Sequence, residues 1–248
     1  MAGHSHWAQI KHKKAKIDAQ RGKLFSKLIR EITVATRLGG PNPEFNPRLR
    51  TAIEQAKRAN MPMETIERAI KKGSGELEGE VYEEVIYEGY APGGVAVMVL
   101  ATTDNRNRTS SEVKHAFSKH GGSLGSSGCV SYLFERKGLI EVPAQSISEE
   151  EIFEKAVEAG AEDIQTGKEV HLVYTTPETL YDVKEALEKL GVSVEKAQIT
   201  WVPTSTVSVD DPDTAKKVIR LIEALDDLED VQQVIANFDI PEEIMQKV

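Results

Sequence analysis

The 248-residue chain is 40% hydrophobic and 29% charged, which excludes a disordered or collagen-like polymer. No apolar run approaches the ~18 residues of a membrane span, and no apolar leader is recognised at the N-terminus. The single cysteine, Cys129, excludes a disulfide framework and a cysteine-based zinc site, and a reducing, cytoplasmic setting is expected.

A formal net charge of −9 argues against nucleic acid, but the charge is unevenly spread. Residues 1–72 carry 16 Lys+Arg against 6 Asp+Glu, whereas the remaining 176 carry 15 against 34. The pattern is a basic module joined to an acidic body.

In chain order, Leu24, Phe25, Leu28, Ile29, Ile32, Ala35 and Leu38 fall on one apolar stripe and predict a helix stopped by Gly39-Gly40-Pro41. Asn46-Pro47 is an N-cap followed by proline at the first helical position. The helix it opens turns Leu49, Ile53 and Ala56 inward. A third helix starts near Pro62 with Ile66 and Ile70 inward and ends at Gly73. Residues 73–79 have linker composition. Beyond them, Val85 and Tyr87 alternate with Glu84, Ile86 and Glu88 in a strand. Residues 95–101 read as a buried central strand. Thr109 with Glu112 reads as a capping box over a helix burying Val113, Ala116 and Phe117. A glycine-rich turn and a strand over residues 129–134 complete a β-α-β unit. A second unit comprises a strand at 206–209, a helix capped by Asp211-Pro212, and a strand at 231–238.

Between them, residues 138–203 repeat the scheme: a strand at 139–142, a helix capped by Ser148 and Glu151, strands meeting around residues 166–168, a helix opened by Thr176-Pro177, and a strand at 198–202. The expected fold class is α+β with three domains: an N-terminal basic helical domain (1–78), a ferredoxin-like domain (79–134 with 204–248), and a second ferredoxin-like domain (135–203) inserted in it.

The candidate contact residues lie mostly in the basic module. Trp7, Lys11, His12, Lys13, Lys14, Lys16, Arg21, Lys23, Lys27 and Arg30 place eight cations against one acid, Asp18, within 30 residues. Such density suits phosphate neutralisation, and lysine dominance suits backbone attraction over reading of base edges. Trp7 could stack on a base or serve as a core anchor. Arg48 and Arg50 extend the basic surface. Arg106 and Arg108, between a strand and a helix N-terminus, suit a phosphate or carboxylate, or simply belong to the turn and cap. His4, His6 and His12 lack the companions a metal site needs. Gly121-Gly122-Ser123-Leu124-Gly125 matches a nucleophile-elbow pattern, but it follows a helix and precedes a strand, the reverse of the required context. No metal, cofactor or catalytic set is expected.

The residues Gly3-His4-Ser5, Trp7, Ile10-Lys11-His12-Lys13-Lys14 and Arg21-Gly22-Lys23, with Asn46-Pro47-Arg48-Leu49-Arg50, Asn60-Met61-Pro62, Tyr87-Glu88-Gly89-Tyr90, Pro92-Gly93-Gly94 and residues 103–109, resemble the YebC/PmpR family along essentially the whole chain. Departures are small: His6 replaces a lysine, Ala91 a glycine and Cys129 a serine. The resemblance implies a cytoplasmic, three-domain, DNA-binding transcriptional regulator. It equally implies links to translation, through a mitochondrial translational activator and ribosome-associated factors acting at proline-rich stretches. Expected partners are therefore DNA or ribosomal RNA and the ribosome, without a membrane or small-molecule substrate. A ligand-sensing module using a cleft between the two ferredoxin-like domains is a third reading.

Overall fold

The computed structural model describes the backbone of residues 2–17 and 21–248 and the side chains of residues 7–15 and 22–248. In chain order the elements are α1 (Ala2–Ile17), α2 (Arg21–Gly39), α3 (Pro47–Arg58), α4 (Met63–Ser74), β1 (Glu83–Ala91), β2 (Val95–Thr103), α5 (Arg106–Lys119), β3 (Ser123–Leu124), β4 (Phe134–Pro143), α6 (Glu149–Ala159), β5 (Asp163–Gln165), β6 (Val170–Thr175), α7 (Leu180–Lys189), β7 (Lys196–Pro203), β8 (Val207–Ser208), α8 (Pro212–Asp226), β9 (Val231–Ala236), β10 (Phe238–Asp239) and α9 (Glu242–Met245). The fold is α+β, with an N-terminal helical part followed by antiparallel sheets.

The chain divides into two compact units. One holds α1 with residues 134–204, and the other holds α2 to β3 with residues 205–248. Compactness thus detaches α1 from the remainder of the basic region that the sequence keeps together as 1–78.

In the first unit the sheet order is β5-β6-β4-β7, antiparallel throughout, with α6 and α7 as the crossovers. This β-α-β-β-α-β arrangement is ferredoxin-like. Ser148 caps α6 by accepting from the Glu151 N–H at 3.2 Å. Ile140, Val142, Ile152, Val173, Leu180 and Leu187 pack between the sheet and these helices. Every residue of β6 is buried, because the opposite face is apolar too. There Val170, Leu172, Tyr174 and Val202 form a second cluster, against which Ala8 of α1 packs. Gln9 ties α1 to the sheet edge. Its Nε2 donates to the Val170 carbonyl at 2.7 Å, and its Oε1 accepts from the Glu169 and Val170 N–H groups, each at 2.8 Å. The helix at Thr176-Pro177 begins later than expected, with Thr179 as N-cap.

In the second unit α2, α3 and α4 enclose Leu28, Ile32, Leu49, Ile53 and Ile66. Leu24 and Leu38, expected inward, are exposed at the ends of the α2 stripe. Asn46 caps α3 through the Leu49 N–H, and its amide donates to the Ala35 and Gly40 carbonyls, so one buried side chain sets the α2–α3 corner. At Gly73 a Cβ would lie 2.5 Å from the Thr33 carbonyl oxygen, so glycine is what lets α4 cross α2 so closely.

The sheet of this unit has the order β3-β1-β2-β9, antiparallel. Its spatial order matches the ferredoxin-like arrangement, with a change in connection. The place beside β2 is filled by β1, which enters as a hairpin. The strand expected at 206–209 shrinks to β8, paired in parallel with β10 outside the main sheet. Residues 129–133 are a bend and a single 3-10 segment rather than a strand, and Phe134 opens β4. The final strand breaks at Asn237, whose side-chain Oδ1 accepts from the Ala96 N–H at 2.8 Å.

Two local expectations are corrected. The α5 cap is Asn105, which accepts from the Arg108 N–H at 3.1 Å, while Thr109 lies within the helix and is fully buried. Glu88, grouped by alternation with exposed residues, is buried. Its carboxylate accepts from the Gly128, Val130 and Ser131 N–H groups at 2.6, 3.2 and 2.6 Å, fastening the glycine-rich loop to β1. Burial acts to raise the Glu88 carboxyl, but these donors outweigh it and hold it below the usual range.

Candidate nucleic-acid interface

The cations expected to form one surface divide into two populations. On α1, Lys11, Lys13 and Lys14 are exposed. Trp7 on the same helix is 8% exposed, so its indole belongs to the packing and is not presented for base stacking. His12 is largely buried, with Nε2 2.6 Å from Glu195 Oε2. The side chains of Lys16 and Arg21, like those of His4 and His6, lie outside the described residues.

In the second unit the candidate cations other than Arg50 meet carboxylates. Lys23 reaches Asp227 at 3.0 Å, and Lys27 donates to the Asp226 carbonyl at 2.7 Å. Arg48 is bidentate to Glu31, at 2.7 and 3.1 Å, and reaches Glu84 at 2.7 Å. Burial opposes the charge on Arg48, yet the two glutamates raise its pKa well above the ordinary value. Arg50 donates to the Pro43 carbonyl at 3.1 Å. Arg106 meets Glu83 at 2.7 Å.

Arg30 and Arg108 converge on Asp230. Arg30 Nη1 donates to Asp230 Oδ1 at 2.5 Å and to the Thr102 carbonyl at 2.6 Å, and its guanidinium lies 4.9 Å from the Tyr82 ring centroid. Arg108 donates to both Asp230 oxygens, at 3.1 and 2.8 Å, and to Asp104 at 2.6 Å. The Thr109 hydroxyl adds a bond of 2.7 Å to Asp230 Oδ2. Burial acts to raise the Asp230 carboxyl, and the donors Arg108, Thr109 and Arg30 outweigh it and hold it below the usual carboxylate range. The open pocket beside this cluster, about 430 Å³, is lined by six carboxylates, Glu80, Asp104, Glu112, Asp227, Glu229 and Asp230, against two cations, Arg30 and Arg108. Such a wall repels phosphate. Arg30, expected on the contact surface, is 5% exposed and holds the interior together.

Comparison with known proteins agrees with this architecture from end to end. The TACO1/YebC protein N-terminal domain matches residues 5–76, and the TACO1/YebC second and third domain matches residues 82–238. The chain belongs to the TACO1/YebC family. A relative from Aquifex aeolicus (strain VF5), called a probable transcriptional regulatory protein, is 80% identical over the full length of both chains. One from Persephonella marina with the same description is 61% identical, again over the full length of both. The crystal structure of a conserved hypothetical protein from Aquifex aeolicus superposes with a TM-score of 0.93 at 80% identity, covering 97% of this chain and 99% of that one.

Asp230, the hub of this TACO1/YebC chain's second unit, had no separate signal in the sequence. It sits in the acidic run Asp226-Asp227-Leu228-Glu229-Asp230, which reads as a solvated face. No helix among the described residues is long and apolar enough to cross a membrane.

Proposed function

We propose that this protein is a non-enzymatic, cytoplasmic, nucleic-acid-binding regulator of gene expression, of the transcriptional type for which its relatives are named. The observation that carries the reading is the set of exposed lysines on α1, Lys11, Lys13 and Lys14. In the assignment we favour, residues 1–78 supply the first contact with nucleic acid, and the two α+β domains, 79–134 with 204–248 and 135–203, form the body. This role needs long-range attraction to phosphate and no catalytic centre.

A second reading, a factor acting on ribosomal RNA in translation, is supported by the kind of cation exposed. Lysine acts on phosphate as a point charge and carries little base-sequence information. The test is gel shift on duplex DNA and cosedimentation with ribosomes, at one fixed salt concentration, for the wild type and for K11A/K13A/K14A. The wild type should bind, and the variant should bind more weakly with a flatter salt dependence. Unchanged binding by a folded variant removes α1 from the contact. Loss on ribosomes but not on DNA decides for translation.

A further inference from the structure

Within the acidic body, residues 113–122 and 214–222 each carry three or more basic or histidine residues and no acid. The fold brings them together. One falls on α5 and the turn after it, the other on α8, and these helices pack side by side on the same face of the β3-β1-β2-β9 sheet. Gly122 lies against both Phe117 of α5 and Leu221 of α8. Val113, Ala116 and Phe117 are buried beneath α5, as are Ala215, Val218, Ile219 and Ile222 beneath α8.

Helical periodicity turns what remains outward. Lys114, His115 and Lys119 on α5, and Lys216, Lys217 and Arg220 on α8, are all exposed. His115 and Lys119 are one turn apart, as are Lys216 and Arg220, so each helix presents a row. The rows meet at His120, which ends α5. Burial first, and then the charges of Lys119, Arg220 and His115, push its imidazole below the usual range.

These side chains differ from the cations gathered around the carboxylates of the same unit. Lys23, Arg30, Arg48, Arg106 and Arg108 are each within ion-pair distance of a carboxylate. Among the described residues, none of the six outward cationic and histidine side chains of α5 and α8 is in such a pair. Asp211, at the N-cap of α8, senses Lys217 only at longer range. In a chain of net charge −9, this cationic face, bordered by the exposed Glu112, Asp213 and Glu223, is complementary to an anion brought from outside.

Shape narrows the anion. Both helices lie flat on a sheet, and neither projects. A flat layer cannot enter the deep major groove of B-form DNA as a projecting helix does, but it matches the wide, shallow minor groove of A-form RNA with its flanking phosphates. We propose that the α5/α8 face, through Lys114, Lys119, Lys216, Lys217 and Arg220 with His115, is a docking surface for the phosphate backbone of double-helical RNA. The proposal deepens the nucleic-acid reading above and rests on it.

The test is fluorescence anisotropy of the full-length protein with an RNA hairpin of about 16 base pairs, the length two successive minor grooves require, and with a DNA duplex of the same sequence. The wild type should prefer the RNA. K119A/K216A/K217A/R220A should keep the wild-type melting temperature and lose tenfold or more in RNA affinity. Its log–log salt slope should fall by about 0.7–0.9 for each phosphate contact removed. Unaltered RNA affinity and slope in the variant overturn the surface while leaving the nucleic-acid reading standing. An equal loss on DNA overturns the commitment to RNA. Binding of neither probe by the wild type overturns the underlying reading and this surface with it.

Discussion

Arg30 and Asp230, 200 residues apart in the chain, meet as a buried ion pair with Nη1 2.5 Å from Oδ1. Their side chains are 6% and 2% exposed, and Arg108 and Thr109 share the same carboxylate. The pair pins α2 to the residue preceding β9, with both side chains largely removed from solvent. Removal of one member of a buried pair strands the other. Arg30→Ala is therefore expected to destabilise the protein by about 3–5 kcal/mol, read as a shift in the denaturant midpoint at constant m-value. A loss below about 1 kcal/mol, the size of an exposed pair, contradicts the buried geometry.

Arg106 and Arg108 are separated by one residue and carry different expectations. Arg106 is exposed and has one carboxylate partner, Glu83. Arg108 saturates the buried Asp230. Arg106→Ala should leave the melting temperature unchanged, whereas Arg108→Ala should lower it by several degrees. Thermal melts of the two single variants decide this, and equal effects contradict it.

Glu88 predicts an acid-limb dependence. Its folded carboxyl titrates below the ordinary 4.5, so the deprotonated form is favoured by folding. That contribution is complete above the ordinary value and is lost as pH falls through the lower folded value. Glu88→Gln keeps the shape but surrenders the charge-assisted bonds to Gly128, Val130 and Ser131. The variant should be less stable at neutral pH, and its stability should fall less steeply on acidification. Parallel acid limbs for wild type and variant, measured by denaturant melts across that range, contradict the assignment.

Gln9 holds α1 in its unit, and Trp7 is buried on the same helix. Gln9→Ala leaves the Glu169 and Val170 N–H groups without their acceptor, at a cost of about 1–3 kcal/mol. Trp7→Ala removes a buried indole, at about 3–5 kcal/mol. Both should release α1 and expose Lys11, Lys13 and Lys14 to limited trypsin digestion well before the rest of the chain. Digestion at the wild-type rate contradicts the anchoring.

Local physics made much of this fold legible. The Asn46-Pro47 cap, the buried run of β2 and the α8 stripe under Asp211 each depend on neighbours within a few residues, and the sequence determines them alone. The family, too, is written in the motifs from one end to the other. Tertiary structure decided where the charges go. Nothing in the sequence near Arg30 points to Asp230, and nothing near Glu88 points to the N–H groups of residues 128–131. These partners are joined by strand pairing and helix packing across long separations. A lysine or arginine count registers the number of cations, but an ion pair depends on which acid the folded chain places within 4 Å. The same physics explains why a basic N-terminal segment in isolation overstates its free charge. The cationic outer rows of α5 and α8 become one surface only when two windows about 100 residues apart lie side by side.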